Sequence, residues 1–238
     1  MIVACSRKLL AKYYNNTLFV NCILVTTYLL VIAVPSSIPI YAITLERVRE
    51  RRLNVFSQLQ NERYTIIKAI DGANLTDDQT AMMNKYINPN SLTPGQIGCF
   101  LSHVSVWQRI ERQQSPCTLI VEDDLLVTSS LKVMLPHLCK MNNFHIMYLG
   151  HYYEYSNGTL IATIGSHQIR KSVRPLCTHG YLVTLSGVKL LNRYLEANRY
   201  GMQIDSVMLK AYHDGYINSF SVFPPIIQQK QFKSTVGH

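Results

Sequence analysis

The sequence predicts an α/β fold in which a mainly parallel central sheet is flanked by helices. Short apolar segments of strand length alternate along the chain with longer segments whose apolar residues recur at helical spacing. Hydrophobic residues make up 47% of the 238 residues, enough for a substantial core. The apolar segment TLIV runs directly into the consecutive acids Glu122, Asp123 and Asp124. That pattern is typical of a buried strand that ends at the edge of a parallel sheet.

The individual elements can be placed from residue 38 onward. They are a strand at 38–45, a helix at 46–59, a strand at 64–70, a helix after Thr76, a helix at 94–113, a strand at 117–123, a helix near 129–141, a strand at 144–150, a hairpin bracketed by Gly158 and Gly165, a strand at 179–186 and the helix GVKLLNRYLEAN.

Local signals support these assignments. Thr76 and Asp77 resemble a helix N-cap, and Pro94 lies where the first turn of a helix tolerates proline. Strands that alternate with helices in this way favour a parallel sheet covered by helices. The apolar residues expected to share one side of the helix at 46–59 are Val48, Leu53, Phe56 and Leu59.

The amino terminus differs from the rest of the chain. Residues 18–34, LFVNCILVTTYLLVIAV, form an uncharged run of 17 residues after three basic residues. The segment suits an uncleaved signal anchor or a signal peptide cleaved near 33–37, and the remaining alternatives are a buried helix or a wrongly assigned start of the chain. We place a domain boundary after Ser37, which gives a unit at 1–37 and a second at 38–238. The expected localisation is membrane association or passage into the secretory pathway, in a compartment left open.

Charge and cysteine content restrict the partners. Lys and Arg number 23 against 14 Asp and Glu, a net charge of +9 that favours anionic ligands. The basic residues are dispersed and accompany no recognition motif, so we expect no nucleic-acid partner. None of the six cysteines forms a C-x-x-C pair, which argues against a structural zinc site and leaves disulfides open.

The acidic triplet raises an electrostatic problem. In an extended chain Glu122 and Asp124 would project together while Asp123 turns away. At about 4 Å and an effective dielectric constant of about 20, their repulsion is roughly 4 kcal/mol. A shared proton, neighbouring Arg or Lys, or a hard divalent cation would offset it. The alternative is that the acids only end the strand and cap the next helix.

The segment TPGQIGCFLSHVSVW (93–107), at its distance from the acids, resembles glycosyltransferase family 25. This family includes bacterial lipooligosaccharide galactosyltransferases and the collagen galactosyltransferases. The resemblance runs from Ile38 to about Thr235. Its landmarks are IYAITLERVRERR, KAIDG, GQIGCFLSHVSVW, IVEDD, GYLVTLSGVKLL, QIDSVML and PPIIQQKQFKS.

The resemblance implies a GT-A-like nucleotide-diphospho-sugar transferase fold whose acidic strand end binds a divalent metal ion, expected to be Mn²⁺. It also implies an inverting transfer of a sugar, most often galactose from UDP-galactose, to a hydroxyl of a glycan, lipooligosaccharide or glycoprotein. Two positions depart from the family pattern. The acidic motif is Glu122-Asp123-Asp124 and not Asp-x-Asp, and Gln96 stands where the most common family form has Glu.

Site residues follow from position and resemblance together. We expect Glu122 and Asp124 to bind the metal ion, with Asp123 in support. The residues expected to bind the nucleotide sugar are Arg47, Arg51, Arg52, Asp71, Gly72, Ser102 and His103. The alternatives are a solvated helix face for the arginines, a plain turn for Asp71 and Gly72, and a structural role for His103.

An inverting transfer also needs a general base for the acceptor hydroxyl. Asp205 in QIDSVML occupies the place of a later acid in the family pattern and is the candidate, with a helix cap as the alternative. His179, His213 and Gln228 are further candidates for late contacts with the diphosphate or the metal. Trp107 and Cys99 are expected to pack in the core.

These inferences predict a metal-dependent glycosyltransferase with a UDP-sugar donor, a glycan or glycoprotein acceptor, and a membrane contact through the amino-terminal segment. The alternative is a catalytically silent, family-like protein used for adhesion or interaction. A nucleotidyltransferase is disfavoured, because such enzymes need a Gly-rich loop after the first strand and YAITLERVRERR has no Gly.

Overall fold

A computed structural model describes residues 38–232. The predicted amino-terminal hydrophobic helix lies outside these residues. The described strands are β1 (Ile40–Thr44), β2 (Thr65–Lys68), β3 (Cys117–Glu122), β4 (Leu125–Val127), β5 (Ile146–Tyr148), β6 (Leu160–Ile164), β7 (His167–Lys171), β8 (Gly180–Thr184), β9 (Ser219–Phe223) and β10 (Ile227–Gln229). The described helices are α1 (Arg49–Gln58), α2 (Asp77–Tyr86), α3 (Pro94–Gln113), α4 (Leu131–Cys139), α5 (Leu185–Glu196) and α6 (Ile204–His213).

The central sheet has eight strands in the order β2-β1-β3-β8-β5-β9-β7-β6, and β4 and β10 form a separate antiparallel pair. The prediction of a mainly parallel sheet is wrong. Three neighbouring pairs are parallel (β1 with β2, β1 with β3, β5 with β9) and the other four are antiparallel. The sheet is mixed because β8 inserts between β3 and β5 against the direction of both.

The sheet is covered by helices on both faces, as predicted. Along β1, Tyr41 and Ile43 join one core cluster while Ile40 and Ala42 join the other. This alternation is the period-two pattern of a strand buried on both sides. Helices α2, α3, α5 and α6 contribute to the first cluster, and α1 and α4 to the second.

The predicted strands and helices other than the hairpin agree with observed elements within a few residues, and α3 has the predicted bounds. The hairpin was misplaced, because Gly165 lies in its turn and the second strand, β7, follows it. Strands β4, β9 and β10 were not predicted. Trp107 on α3 is fully buried, as expected. The predicted apolar side of α1 is wrong in part, since Leu53 and Phe56 are 53% and 48% exposed. The helix instead buries Arg51, Asn54 and Val55, because the two polar side chains bind groups at the end of β3.

A disulfide joins Cys117, the first residue of β3, to Cys139, the last residue of α4. The bond links the strand that ends at the acidic triplet to the helix layer formed by α1 and α4. Cys99 and Cys177 are free thiols. Within residues 38–232, every helix is too short or too polar to cross a membrane.

Candidate active site

A cavity of about 530 Å³ opens where the carboxyl ends of β1, β2 and β3 meet. Open α/β sheets bind ligands at this edge. The lining includes nine residues that the sequence singled out: Arg47, Arg51, Asp71, Gly72, Ser102, His103, Glu122, Asp123 and Asp124. Arg52 and Asp205 are not part of the lining.

The amino-terminal end of α3 forms one wall through close backbone packing. A Cβ atom on Gly72 would lie 1.8 Å from the carbonyl oxygen of Pro94, and one on Gly98 would lie 2.5 Å from that of Ile70. Only glycine fits at either position. Ser102 Oγ accepts from the Ile70 amide at 2.8 Å and donates to the Gly98 carbonyl at 2.6 Å. Gly72 and Ser102 therefore fix the turn after β2 against α3.

Gln96 stabilises the start of the same helix. Its Oε1 accepts from the Thr93 amide at 2.9 Å, while the Thr93 hydroxyl accepts from the Gln96 amide. This reciprocal capping box can be made by Gln or Glu. The departure from the family pattern at Gln96 thus leaves the capping of α3 intact.

Arg51 is a buried cation beside the acids. Its Nη1 lies 2.9 Å from Asp123 Oδ1 and 3.4 Å from Asp124 Oδ2. Asp123 Oδ2 also accepts from the Leu45 amide at 3.3 Å. Asn54 Nδ2 donates to the main-chain oxygens of Asp123 and Leu125, at 3.1 and 2.8 Å. Helix α1 thus holds the turn that follows β3.

Glu122 belongs to a second network. His103 Nε2 lies 3.1 Å from Glu122 Oε1, which also accepts from the Thr178 hydroxyl. His103 Nδ1 lies 2.8 Å from the Tyr181 hydroxyl, which accepts from Trp107 Nε1. Because the Glu122 carboxylate can only accept, His103 Nε2 is the protonated nitrogen that donates to it. Burial acts to raise the pKa of Glu122, but His103 and then Thr178 outweigh it and lower the pKa to about 2.

Asp124 has the opposite electrostatic environment. Burial, and then the charge of Glu122, raise its pKa to about 7. Its Oδ2 accepts from Gln229 Nε2 at 2.9 Å, whereas its Oδ1 is buried and has no hydrogen-bond partner among residues 38–232. The argument from strand alternation does not hold here, because β3 ends at Glu122 and both Asp123 and Asp124 reach Arg51.

These contacts test whether the acids suit a divalent cation. Both Asp123 oxygens have protein partners, whereas Asp124 Oδ1 has none within the described chain. Carboxylate oxygens are the ligands that hard divalent cations prefer. A cation would also offset the repulsion that raises the pKa of Asp124. Asp124 therefore offers an unpaired carboxylate oxygen to such an ion, beside the charge of Glu122.

A second donor set lies close by. Atoms of Cys99, His103 and Glu122 fall within 4.8 Å of one another, the only such grouping of metal-binding side chains among the described residues. Its sulfur and nitrogen atoms suit softer ions than Mn²⁺. Burial, then Glu122 and Asp205, raise the pKa of the Cys99 thiol well above its usual range, which disfavours the thiolate that a metal requires.

The segment 229–232 closes the cavity beside the acids. The Lys230 amide donates to the Asp124 carbonyl at 2.7 Å. Lys230 Nζ and the Arg51 guanidinium lie 5.0 and 5.5 Å from the centre of the Phe232 ring. Gln229, and not Gln228, binds Asp124, because Gln228 faces solvent in β10.

The remaining predicted residues are more dispersed. Arg47 Nε pairs with Asp71 Oδ2 at 2.9 Å on the exposed rim. The hydrogen bond from Arg47 lowers the pKa of Asp71. Arg52 lies on the same helix as Arg51 but outside the lining. His213 is exposed at the end of α6, and His179 is buried with its Nδ1 unpaired among the described residues.

Asp205, the candidate base, is held by backbone amides. Its Oδ2 accepts from the Cys177 amide at 3.1 Å and its Oδ1 from the Ser206 amide at 2.7 Å. Its charge contributes to the raised pKa of Cys99, whose side chain lines the cavity. In this structure Asp205 anchors the loop before β8.

Several contacts were missed from the sequence. Asn54, Thr178, Gln229 and Lys230 all bind the acidic triplet or its backbone. Gln229 and Lys230 lie in the segment PPIIQQKQFKS, whose place in the family pattern indicated that this part of the chain contributes to the site. Nothing in the sequence indicated Asn54 or Thr178, because each approaches the acids from a distant part of the chain.

This site defines an α/β protein with a cavity lined by buried carboxylates at the carboxyl ends of its strands. The chain belongs to glycosyltransferase family 25. The model of that family, described as glycosyltransferase family 25 (LPS biosynthesis protein), matches residues 37–208.

Relatives with family names also match the chain. Procollagen galactosyltransferase 2 of Homo sapiens is 29% identical over 69% of this chain and 28% of its own length. A glycosyltransferase 25 family member of Aedes aegypti is 28% identical over 64% of this chain and 27% of its own length. The chain therefore spans less than a third of these relatives. A solved glycosyltransferase involved in the glycosylation of the major capsid of PBCV-1 has 11% identity and a TM-score of 0.39, over 81% of this chain and 82% of its own.

Proposed function

We propose that residues 38–232 form a GT-A-like glycosyltransferase domain that binds a nucleotide sugar, with UDP-galactose as the first candidate donor. The observation that carries the proposal is the buried, unpaired Asp124 Oδ1 among acids that line a cavity at the strand ends. Membership of glycosyltransferase family 25 supports the reaction class. The acceptor is a hydroxyl of a glycan, lipooligosaccharide or glycoprotein.

Each wall of the cavity has a proposed task. Glu122 and Asp124 would hold a divalent ion such as Mn²⁺, which when bound supplies charge neutralisation for the departing nucleoside diphosphate. Arg47 and Lys230 present cations to the diphosphate at the rim. Arg51 stays committed to Asp123 and Asp124 and orients them.

The remaining tasks fall to residues near α3 and α6. The turn at Asp71 and Gly72 offers polar backbone to the nucleoside. His103 orients Glu122 through their hydrogen bond. Asp205 is proposed as the base that takes the proton of the acceptor hydroxyl while the sugar carbon is attacked with inversion.

Donor binding is the first test. UDP with Mn²⁺ should raise the melting temperature of the wild type, because a ligand that binds the folded state stabilises it. Asp124→Ala should abolish this rise together with hydrolysis of UDP-galactose. Asp78→Ala, a change at an exposed acid on α2, is the matched control and should keep both. If the wild type shows no rise with any UDP-sugar, the chain is instead an interaction protein without a donor site.

The role of Asp205 needs a separate test. Asp205→Asn keeps an oxygen that can accept from the Cys177 amide but removes the base. We expect sugar transfer to fall about 100-fold or more while the UDP-induced stabilisation persists. Unchanged transfer would assign Asp205 to loop anchoring alone.

A further inference from the structure

An exposed aromatic cluster follows β5 and has no task in donor binding. The segment HYYEY (151–155) exposes Tyr152 by 44%, Tyr153 by 72% and Tyr155 by 51%. Large aromatic rings that remain in water next to a cavity are a feature of binding surfaces. We call Tyr152 and Tyr153, whose ring centres lie 6.4 Å apart, the aromatic rim.

The backbone holds this rim in place. Tyr152 exchanges both main-chain hydrogen bonds with Leu176, at 3.1 and 3.3 Å. Glu154 Oε1 accepts from the Val173 amide at 2.8 Å and fixes the other end of the segment. Tyr153 between them has φ +55°, a left-handed conformation that is uncommon for a bulky side chain. The surrounding contacts maintain a strained residue whose ring stays exposed, a pattern found at ligand-binding segments.

The rim adjoins the cavity on the side of the proposed base. Tyr152 lines the cavity, and its ring centre lies 5.8 Å from that of His179. Leu176, which pairs with Tyr152, precedes Cys177, whose amide binds Asp205. The rim and Asp205 are therefore joined through two consecutive residues.

The chemistry of the rim suits a sugar ring. A hexopyranose carries C–H groups on one face, and these pack against the electron-rich face of an aromatic ring. Glu154 Oε1 accepts from the Val173 and Arg174 amides, so this carboxylate holds the segment in place while the neighbouring tyrosine rings stay exposed. We propose that Tyr152 and Tyr153 form the acceptor subsite and stack against a hexopyranose ring of a glycan acceptor. This inference rests on the proposed glycosyltransferase function and specifies the acceptor class.

The test uses the full chain with UDP and Mn²⁺ present, and methyl β-D-galactopyranoside and methyl β-D-glucopyranoside as probes. Saturation-transfer NMR should show contact with one face of at least one glycoside. Tyr152→Ala and Tyr153→Ala should each weaken the binding of that glycoside about tenfold. Tyr152→Phe should keep binding, because stacking needs the ring and not the hydroxyl. Phe56→Ala removes a comparably exposed ring on α1, outside the cavity lining, and should have no effect.

The outcomes separate this inference from the donor function. If UDP stabilises the wild type and each tyrosine variant but neither glycoside binds, the acceptor subsite is refuted and the donor function stands. Binding of a hydroxylysine peptide that depends on Tyr152, without glycoside binding, would also refute it in favour of a peptide acceptor. Glycoside binding that Tyr152→Ala leaves unchanged would place the sugar elsewhere. Absence of UDP stabilisation in the wild type would count against the proposed function itself.

Discussion

The buried Arg51 cluster and the exposed Arg47–Asp71 pair line the same cavity with the same two residue types, but their surroundings differ. The Arg51 side chain is 10% exposed and contacts both Asp123 and Asp124, whereas the Arg47 side chain is 56% exposed and pairs with Asp71. A buried pair is costly to break because the remaining charge stays out of water. An exposed pair is screened by solvent and can exchange its partner for a ligand. The first therefore constructs the site, and the second is available to a substrate.

The largest expected effect is the loss of Arg51. Arg51→Met should lower the free energy of unfolding by about 3–5 kcal/mol, because it leaves two buried carboxylates without their cation. Urea unfolding measures this change. Arg52→Met, at the next position and outside the cavity lining, is the control and should cost about 1 kcal/mol or less. Equal losses of unfolding free energy in the two variants would contradict the structural role assigned to the buried Arg51.

The disulfide tests whether the buried cluster depends on how β3 is anchored. Replacing Cys117 and Cys139 together by Ala should lower the unfolding free energy by about 3 kcal/mol, because the unfolded chain is no longer restricted by the loop that the bond closes. Reduction of the wild type should give the same loss. UDP binding should persist in the folded variant, because the contacts of Arg51 are local. Loss of UDP binding in a folded double variant would show that the acids are ordered by the disulfide.

The pH dependence of stability should reveal the raised pKa of Asp124. Its folded pKa of about 7 exceeds the unfolded value of about 3.9, so its contribution is complete below about pH 4 and is lost as the pH rises through about 7. In EDTA, the free energy of unfolding of Asp124→Asn should rise relative to that of the wild type by about 2 kcal/mol as the pH increases from 5 to 8. Urea unfolding at several pH values measures the difference. Parallel pH curves for the two proteins would contradict this assignment.

The smallest effect on stability is expected at the exposed pair. Arg47→Ala should change the unfolding free energy by less than about 1 kcal/mol. It should nevertheless weaken UDP binding in Mn²⁺ about tenfold, measured by calorimetry, because the diphosphate loses a cation. Lys68→Ala removes an exposed cation near the same sheet edge, outside the lining, and should leave binding unchanged. A large loss of stability in Arg47→Ala would erase the contrast with Arg51.

Local structure was largely predictable from the sequence, because its signals are local. The capping residues Thr76 and Thr93 and the apolar period of α3 determine where helices begin and end. Sheet direction was not predictable in this way. Chain order does not indicate that β8 inserts between β3 and β5, since this depends on long-range packing.

The residues of the site divide in the same way, into those that local sequence patterns indicate and those that only long-range packing brings together. The acids at the end of β3 and the glycine at position 72 mark the cavity through local patterns. The buried side of α1 was missed because Arg51 and Asn54 are buried by their partners and not by hydrophobicity. Gln228, a candidate for contact with the diphosphate or the metal, faces solvent, whereas the next residue, Gln229, binds Asp124, because a shift of one position in a strand reverses the face.

The covalent link between Cys117 and Cys139 also bears on where the chain matures. Thiol pools such as glutathione keep most cytosolic cysteines reduced, and stable disulfides form mainly in the endoplasmic reticulum, the periplasm or outside the cell. The expected passage into the secretory pathway stays a prediction, and a protein that takes this route would meet such an oxidising compartment. Recombinant material from a reducing host would therefore contain a different covalent species from the one described here.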